Sequence, residues 1–134
     1  MATAPQTSTA SKVMYWSGWV VTILPVFVLT MSGVMKLAQP AGMAADIEKL
    51  GWTMRLMVPL AIIELGSASL YLIPQTSVLG AILVTGYLGG ATATHMRIDD
   101  PLMNIVAPVI IGALAWLGLF LRDSRIRELI PVRF

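Results

Sequence analysis

The spacing of the charged residues constrains this chain more than anything else in it. From Val13 to Met35 no charged side chain occurs, and none occurs from Pro101 to Leu121. Between Arg55 and Arg97, only Glu64 and His95 interrupt an apolar stretch punctuated by "PQTS" at Pro74 to Ser77. A helix needs about 20 apolar residues to cross a hydrocarbon core of ~30 Å. The windows therefore predict an all-α integral membrane protein, a four-helix transmembrane bundle with spans over about 13–37, 56–73, 77–95 and 102–121. Composition agrees: 57% of the residues are hydrophobic and only 12% are charged, against roughly a quarter charged in soluble chains.

The expected organisation is one domain over 13–121, preceded by a polar, disordered segment over 1–12 and followed by a basic tail over 122–134. The first apolar run exceeds the 7–15 residues of a signal-peptide core and closes on no small-x-small site, so it is read as a retained span. The "PQTS" stretch predicts a tight antiparallel hairpin. "QPAGMAADIEKLGW" (Gln39 to Trp52) predicts a short interfacial helix beginning near Pro40 and ending at Gly51, with Trp52 as an interfacial anchor. Asp100-Pro101 reads as the N-terminus of the last span, Asp100 as cap and Pro101 in the first turn. Pro25, Pro59 and Pro108 are expected to bend their helices.

An even number of spans puts both termini on one side. Five Lys or Arg residues fall there and four on the other, and the density of the C-terminal cluster favours cytoplasmic termini in a bacterial inner membrane. A net charge of +2, concentrated in membrane-flanking arginines, excludes a nucleic-acid-binding role. There is no cysteine, which removes disulfides, thiolate zinc sites, iron–sulfur ligation and dithiol chemistry. One imidazole is too few for the usual zinc sites and for bis-histidine haem; no metal site is expected.

Two features point to function. Gly86 and Gly90 form a GxxxG row continued by Ala93, a pattern that lets membrane helices approach closely. Glu64 is a carboxylate within a span, an expensive placement that calls for a partner or a wet cavity. The up-and-down topology gathers Lys36, Glu64, His95, Arg97, Asp99 and Asp100 into the half of the bundle opposite the termini, where they can line one polar pocket. The competing structural reading makes Lys36–Glu64 an orienting ion pair, His95 an interfacial residue, and Asp99 and Asp100 a solvated loop and cap.

"SGVMKL" (Ser32 to Leu37), "ELG" (Glu64 to Gly66), "GAIL" (Gly80 to Leu83), "YLGGATATHMRIDDP" (Tyr87 to Pro101) and "WLGLFLRDSRIRELIP" (Trp116 to Pro131) together resemble the DoxX-like family of small four-helix membrane proteins. The resemblance extends from about residue 25 onward, and Lys36, Glu64, His95 and Arg97 match the family's recurring polar positions. With the polar pocket it leaves three roles to weigh, the first two suggested by the resemblance and the third by the pocket alone. The first is a binding or accessory subunit that takes a lipid-like ligand and a membrane-protein partner or a second copy of itself. The second is a quinone-linked component of a membrane oxidoreductase complex, as for the family's namesake; no cofactor is expected to be covalently attached. The third is a small transporter.

Overall fold

The computed structural model describes residues 8–130. Four long helices, α1 (Thr9–Ala38), α3 (Met57–Leu72), α4 (Ser77–Arg97) and α5 (Leu102–Arg122), have the length and apolarity to cross a membrane. Two short helices complete it: α2 (Met43–Lys49) between the first two spans, and α6 (Ser124–Leu129) after the last. A single 3-10 turn, Met54–Leu56, leads into α3. In cross-section the long helices form a ring in the order α1, α3, α4, α5, each packed against two antiparallel neighbours.

The span boundaries match the apolar windows closely, with the largest departure at the N-terminus. Helix α1 begins at Thr9, inside the segment read as disordered, because the Ser8 hydroxyl accepts the Ser11 N–H at 3.2 Å and caps the first turn. Residues 1–7 of that segment lie outside the described residues. The basic tail is likewise partly ordered. Asp123 caps α6 by accepting from Arg125 N, Ile126 is buried, and Arg127 donates to the Phe120 and Leu121 carbonyls that end α5. Arg133 lies outside the described residues.

The hairpin at Pro74 to Ser77 forms as expected. Thr76 Oγ1 donates to Leu70 O at 2.9 Å and Ser77 Oγ to Pro74 O at 3.1 Å, so side chains satisfy carbonyls the helix end leaves free. Pro25 and Pro108 lie within helices, whereas Pro59 is the third residue of α3, where a missing N–H breaks no intrahelical bond.

The buried core is thin. Leu29, Ala68, Tyr71, Ala81, Val84, Leu88, Ala115 and Leu119 fill the axis, while Val20, Ile23, Phe27, Ile62, Ile82, Val109 and Leu117 are exposed and form an apolar exterior suited to lipid. Small residues set the close approaches, but not the ones the GxxxG row indicated. A side chain at Gly80 would run into the backbone of Leu70 and Tyr71, and Gly18 and Gly118 meet where α1 crosses α5. Gly86 and Gly90 have open space where a Cβ would stand, and Ala93 is exposed. The row therefore makes no close helix contact inside this bundle; the contacts of α4 are made by Ala81, Val84 and Leu88, which are buried in the core.

Candidate functional site

Packing between helices leaves a cavity of about 480 Å³ in the half of the bundle away from the termini. Its walls are mostly apolar and include Leu29, Met57, Leu60, Leu88, Pro108 and Ile111, with Ile47, Leu50 and Trp52 contributed by α2 and the loop after it. The polar groups sit in two clusters.

The first cluster is an intramembrane ion pair. Lys36 Nζ lies 2.7 Å from Glu64 Oε2, and the same ammonium donates to Ser32 Oγ at 2.5 Å. Tyr87 Oη donates to the same carboxylate oxygen at 3.0 Å. Glu64 is 2% exposed, and the cluster joins three helices: Lys36 and Ser32 come from α1, Glu64 from α3 and Tyr87 from α4. The Lys36 ammonium has three N–H donors, two of them taken by Ser32 and Glu64. The third has no hydrogen-bond acceptor among the described residues, and the ammonium lies over the Tyr87 ring, 5.7 Å from its centroid.

The second cluster is centred on Asp100. Its Oδ2 is 2.7 Å from His95 Nδ1 and accepts from Asn104 Nδ2 at 2.9 Å; Lys49 Nζ lies 3.5 Å from Oδ1. The Asp100 carboxyl is held below the usual carboxylate range, first by the Asn104 amide and next by His95. A hydrogen bond to the carboxylate puts the imidazole proton on Nδ1, leaving Nε2 as an acceptor in the neutral ring and a donor in the charged one. Lys49 belongs to α2, so this carboxylate also ties the α2 segment to the end of α4. Arg97 adds a second tie by donating from Nη2 to Leu50 O at 2.6 Å. Gly51, at φ +78°, lies against that guanidinium, and a side chain there would displace it.

The sign of the pH response follows from Asp100. Its folded-state pKa lies below the unfolded value, so its contribution is present above about pH 4 and is lost as pH falls through the folded value. Hydrogen-exchange protection over residues 43–52, taken relative to the intrinsic rate at each pH, is therefore expected to stay constant above the usual Asp pKa and to fall only in more acidic solution. The same loss of protection is expected at neutral pH in Asp100→Asn.

Of the residues selected from the sequence, Lys36, Glu64 and His95 line the cavity together. Arg97 is exposed and serves the α2 tie, and Asp99 is exposed at φ 52°, turning the chain out of α4. Asp100 does not cap α5: Pro101 occupies the cap position with no side-chain bond to the first turn, because the carboxylate is committed to His95 and Asn104. It is 9% exposed, which sets aside the solvated-loop reading for this residue. Tyr87 and Asn104 were missed. Helical spacing held the signal for both: Tyr87, Ala91, Thr94 and His95 lie along one face of α4 and all line the cavity, and Asn104 follows Asp100 by four residues. Gly86 and Gly90 also line the cavity, so their missing side chains make room there. Among the described residues, no group of three or more His, Cys, Asp or Glu side chains is placed to hold a metal ion.

A model of the DoxX-like family matches residues 20–118, a range that contains all four long helices except the ends of α1 and α5 together with every polar residue of both clusters. The chain belongs to the DoxX-like family. No curated protein and no solved structure matches it. The polar clusters of this DoxX-like protein thus lie within its family domain, while α6 and about the first three turns of α1 lie outside it.

Proposed function

We propose that this DoxX-like protein is a binding or accessory subunit that holds one amphipathic molecule in the α1–α3–α4–α5 cavity for a membrane complex. The observation that carries this reading is the cavity itself: about 480 Å³ with chiefly apolar walls and two polar clusters, a mixture that fits a ligand with an apolar body and a few polar groups. The lining also supplies groups not consumed within the protein, namely the third proton of Lys36 and Nε2 of His95. A quinone is the specific ligand this set favours as a second reading. Lys36 and His95 line the same cavity, whose walls are otherwise chiefly apolar, a donor set and surface of the kind a prenylated carbonyl ring would use. A bound quinone would supply two-electron redox chemistry; Lys36 and His95 would hold its oxygens, and Glu64, itself bonded by Tyr87, would fix the ammonium. A transporter role has no comparable support, because both polar clusters lie in one half of the bundle.

The test is native mass spectrometry of gently extracted protein with ubiquinone or menaquinone added, against a phosphatidylcholine control. One quinone per chain is expected in wild type, with affinity reduced about 10-fold in His95→Ala, as for a lost hydrogen bond to a charged or strongly polar group. Equal retention by both proteins would remove the quinone from this cavity. In the orientation read from the arginines, the cavity lies in the periplasmic half of a bacterial inner membrane. Because the chain has no cysteine, Ser124→Cys and Asp99→Cys can be labelled singly in intact cells; an impermeant maleimide is expected to reach only the second.

A further inference from the structure

We propose that the opposite end of the bundle carries a second binding site, for the phosphate of an anionic phospholipid headgroup, centred on Arg122. A separate pocket of about 210 Å³ lies there, lined by Tyr15, Trp19, Ser77, Arg122, Asp123 and Arg125 among others. The Arg122 guanidinium lies over two aromatic rings, its Cζ 4.3 Å from the Trp19 centroid and 4.7 Å from that of Tyr71. Its Nη2 donates to Tyr71 O at 2.7 Å, and its Nε is buried without an acceptor.

Among the described residues, no carboxylate comes within ion-pairing distance of Arg122; the nearest in sequence, Asp123, is taken by Arg125, whose Nε and Nη2 reach its two oxygens at 3.1 and 2.8 Å. The pocket therefore holds two guanidinium groups against one carboxylate. A cation fixed at the end of a span without a counter-ion is unfavourable unless water or an anion completes it. Three further features select a lipid phosphate. Helix α4 begins at Ser77, one of the lining residues, so the positive end of its dipole adds to the same field. Arginine presents a planar set of donors matched to phosphate oxygens. Tyr15 and Trp19, with exposed Trp16 beside them, form the aromatic belt that marks headgroup depth. Helix α1 continues for about 13 Å beyond Gly18, its contact with Arg122, and so forms one wall of the site in the headgroup layer.

The structural alternative is that Arg122 only closes the C-terminal end of α3 through Tyr71 O. The two are separated by measuring which lipids stay bound in native mass spectra after equilibration with equimolar phosphatidylglycerol and phosphatidylcholine. Wild type is expected to retain phosphatidylglycerol preferentially. Arg125→Ala, which keeps the backbone N–H that bonds the Asp123 cap and leaves the Arg122–Tyr71 bond in place, is expected to lower that preference about fivefold, the change corresponding to one arginine's attraction to an anionic lipid surface. Asp123→Asn is expected to raise it, since asparagine still caps α6 but removes the competing charge. Arg122→Met is expected to abolish it. No preference in wild type, or a preference unchanged in Arg125→Ala and Asp123→Asn, would overturn the proposal, as would displacement of the lipid by millimolar inorganic phosphate, which would make a free anion the ligand. None of these outcomes depends on what the larger cavity binds.

Discussion

Replacing Glu64 with leucine is expected to destabilise the folded bundle by about 3–5 kcal/mol, the cost of leaving a buried charge without its partner. The leucine itself fits an apolar span. The penalty arises from what stays behind: Lys36, whose side chain is 16% exposed, and the Tyr87 hydroxyl, both of which lose their shared acceptor. Adding Lys36→Met removes the stranded charge. The double variant is expected to recover most of the loss, to within about 1–2 kcal/mol of wild type, because replacing a buried pair by apolar groups is often neutral or better. Thermal or denaturant unfolding in mild detergent reads both. If the single variant is as stable as wild type, the pair carries no structural weight. If the double variant regains stability but no longer retains the cavity's ligand, the pair serves binding as well as architecture.

Gly80→Val is expected to be the most damaging single change in the core. The α3–α4 hairpin brings the backbone of Leu70 and Tyr71 so close to Gly80 that any β-carbon overlaps main-chain atoms. A flexible side chain could yield, but a backbone held by helical hydrogen bonds cannot, so the helices must separate. Overpacking a well-filled core costs about 1–3 kcal/mol even where side chains adjust, and this site lies at the upper end or beyond. Separation also disturbs Tyr71, which is fully buried and donates to Ala115 O at 2.6 Å while its carbonyl accepts from Arg122. One added side chain thus loosens α3, α4 and α5 together. Gly86→Val on the same helix is expected to leave unfolding within about 1 kcal/mol of wild type, since a side chain there meets open space. Comparing the unfolding of the two variants checks which glycine the bundle depends on.

The contrast between these glycines marks how far the sequence could be read. The GxxxG spacing drew attention to Gly86 and Gly90, yet the close approach is made at Gly80, in "GAIL", which has no such motif. In a membrane helix nearly every face is apolar, so hydropathy does not report which way the helix is turned. In a soluble helix the polar face would have done so. For the same reason the spacing that sets Tyr87 on the His95 face did not reveal that its hydroxyl meets Glu64, and Asp100 read as a cap although it bonds His95.

What the sequence determined by itself is everything that depends on local chemistry and chain order. The charge spacing set four spans, the proline and polar residues at 74–77 set a hairpin, and alternating direction placed Lys36, Glu64 and His95 in one half of the bundle. Only the tertiary structure decided which of these meet. Ring order and helix rotation bring Lys36 and Tyr87 onto Glu64 from different helices, send Arg97 to the α2 segment and leave Asp99 outside the cavity. They also leave Arg122 over two aromatic rings with no ion-paired carboxylate among the described residues. Those outcomes depend on how small and large side chains interlock across helices far apart in the sequence, and no local pattern along the chain encodes that.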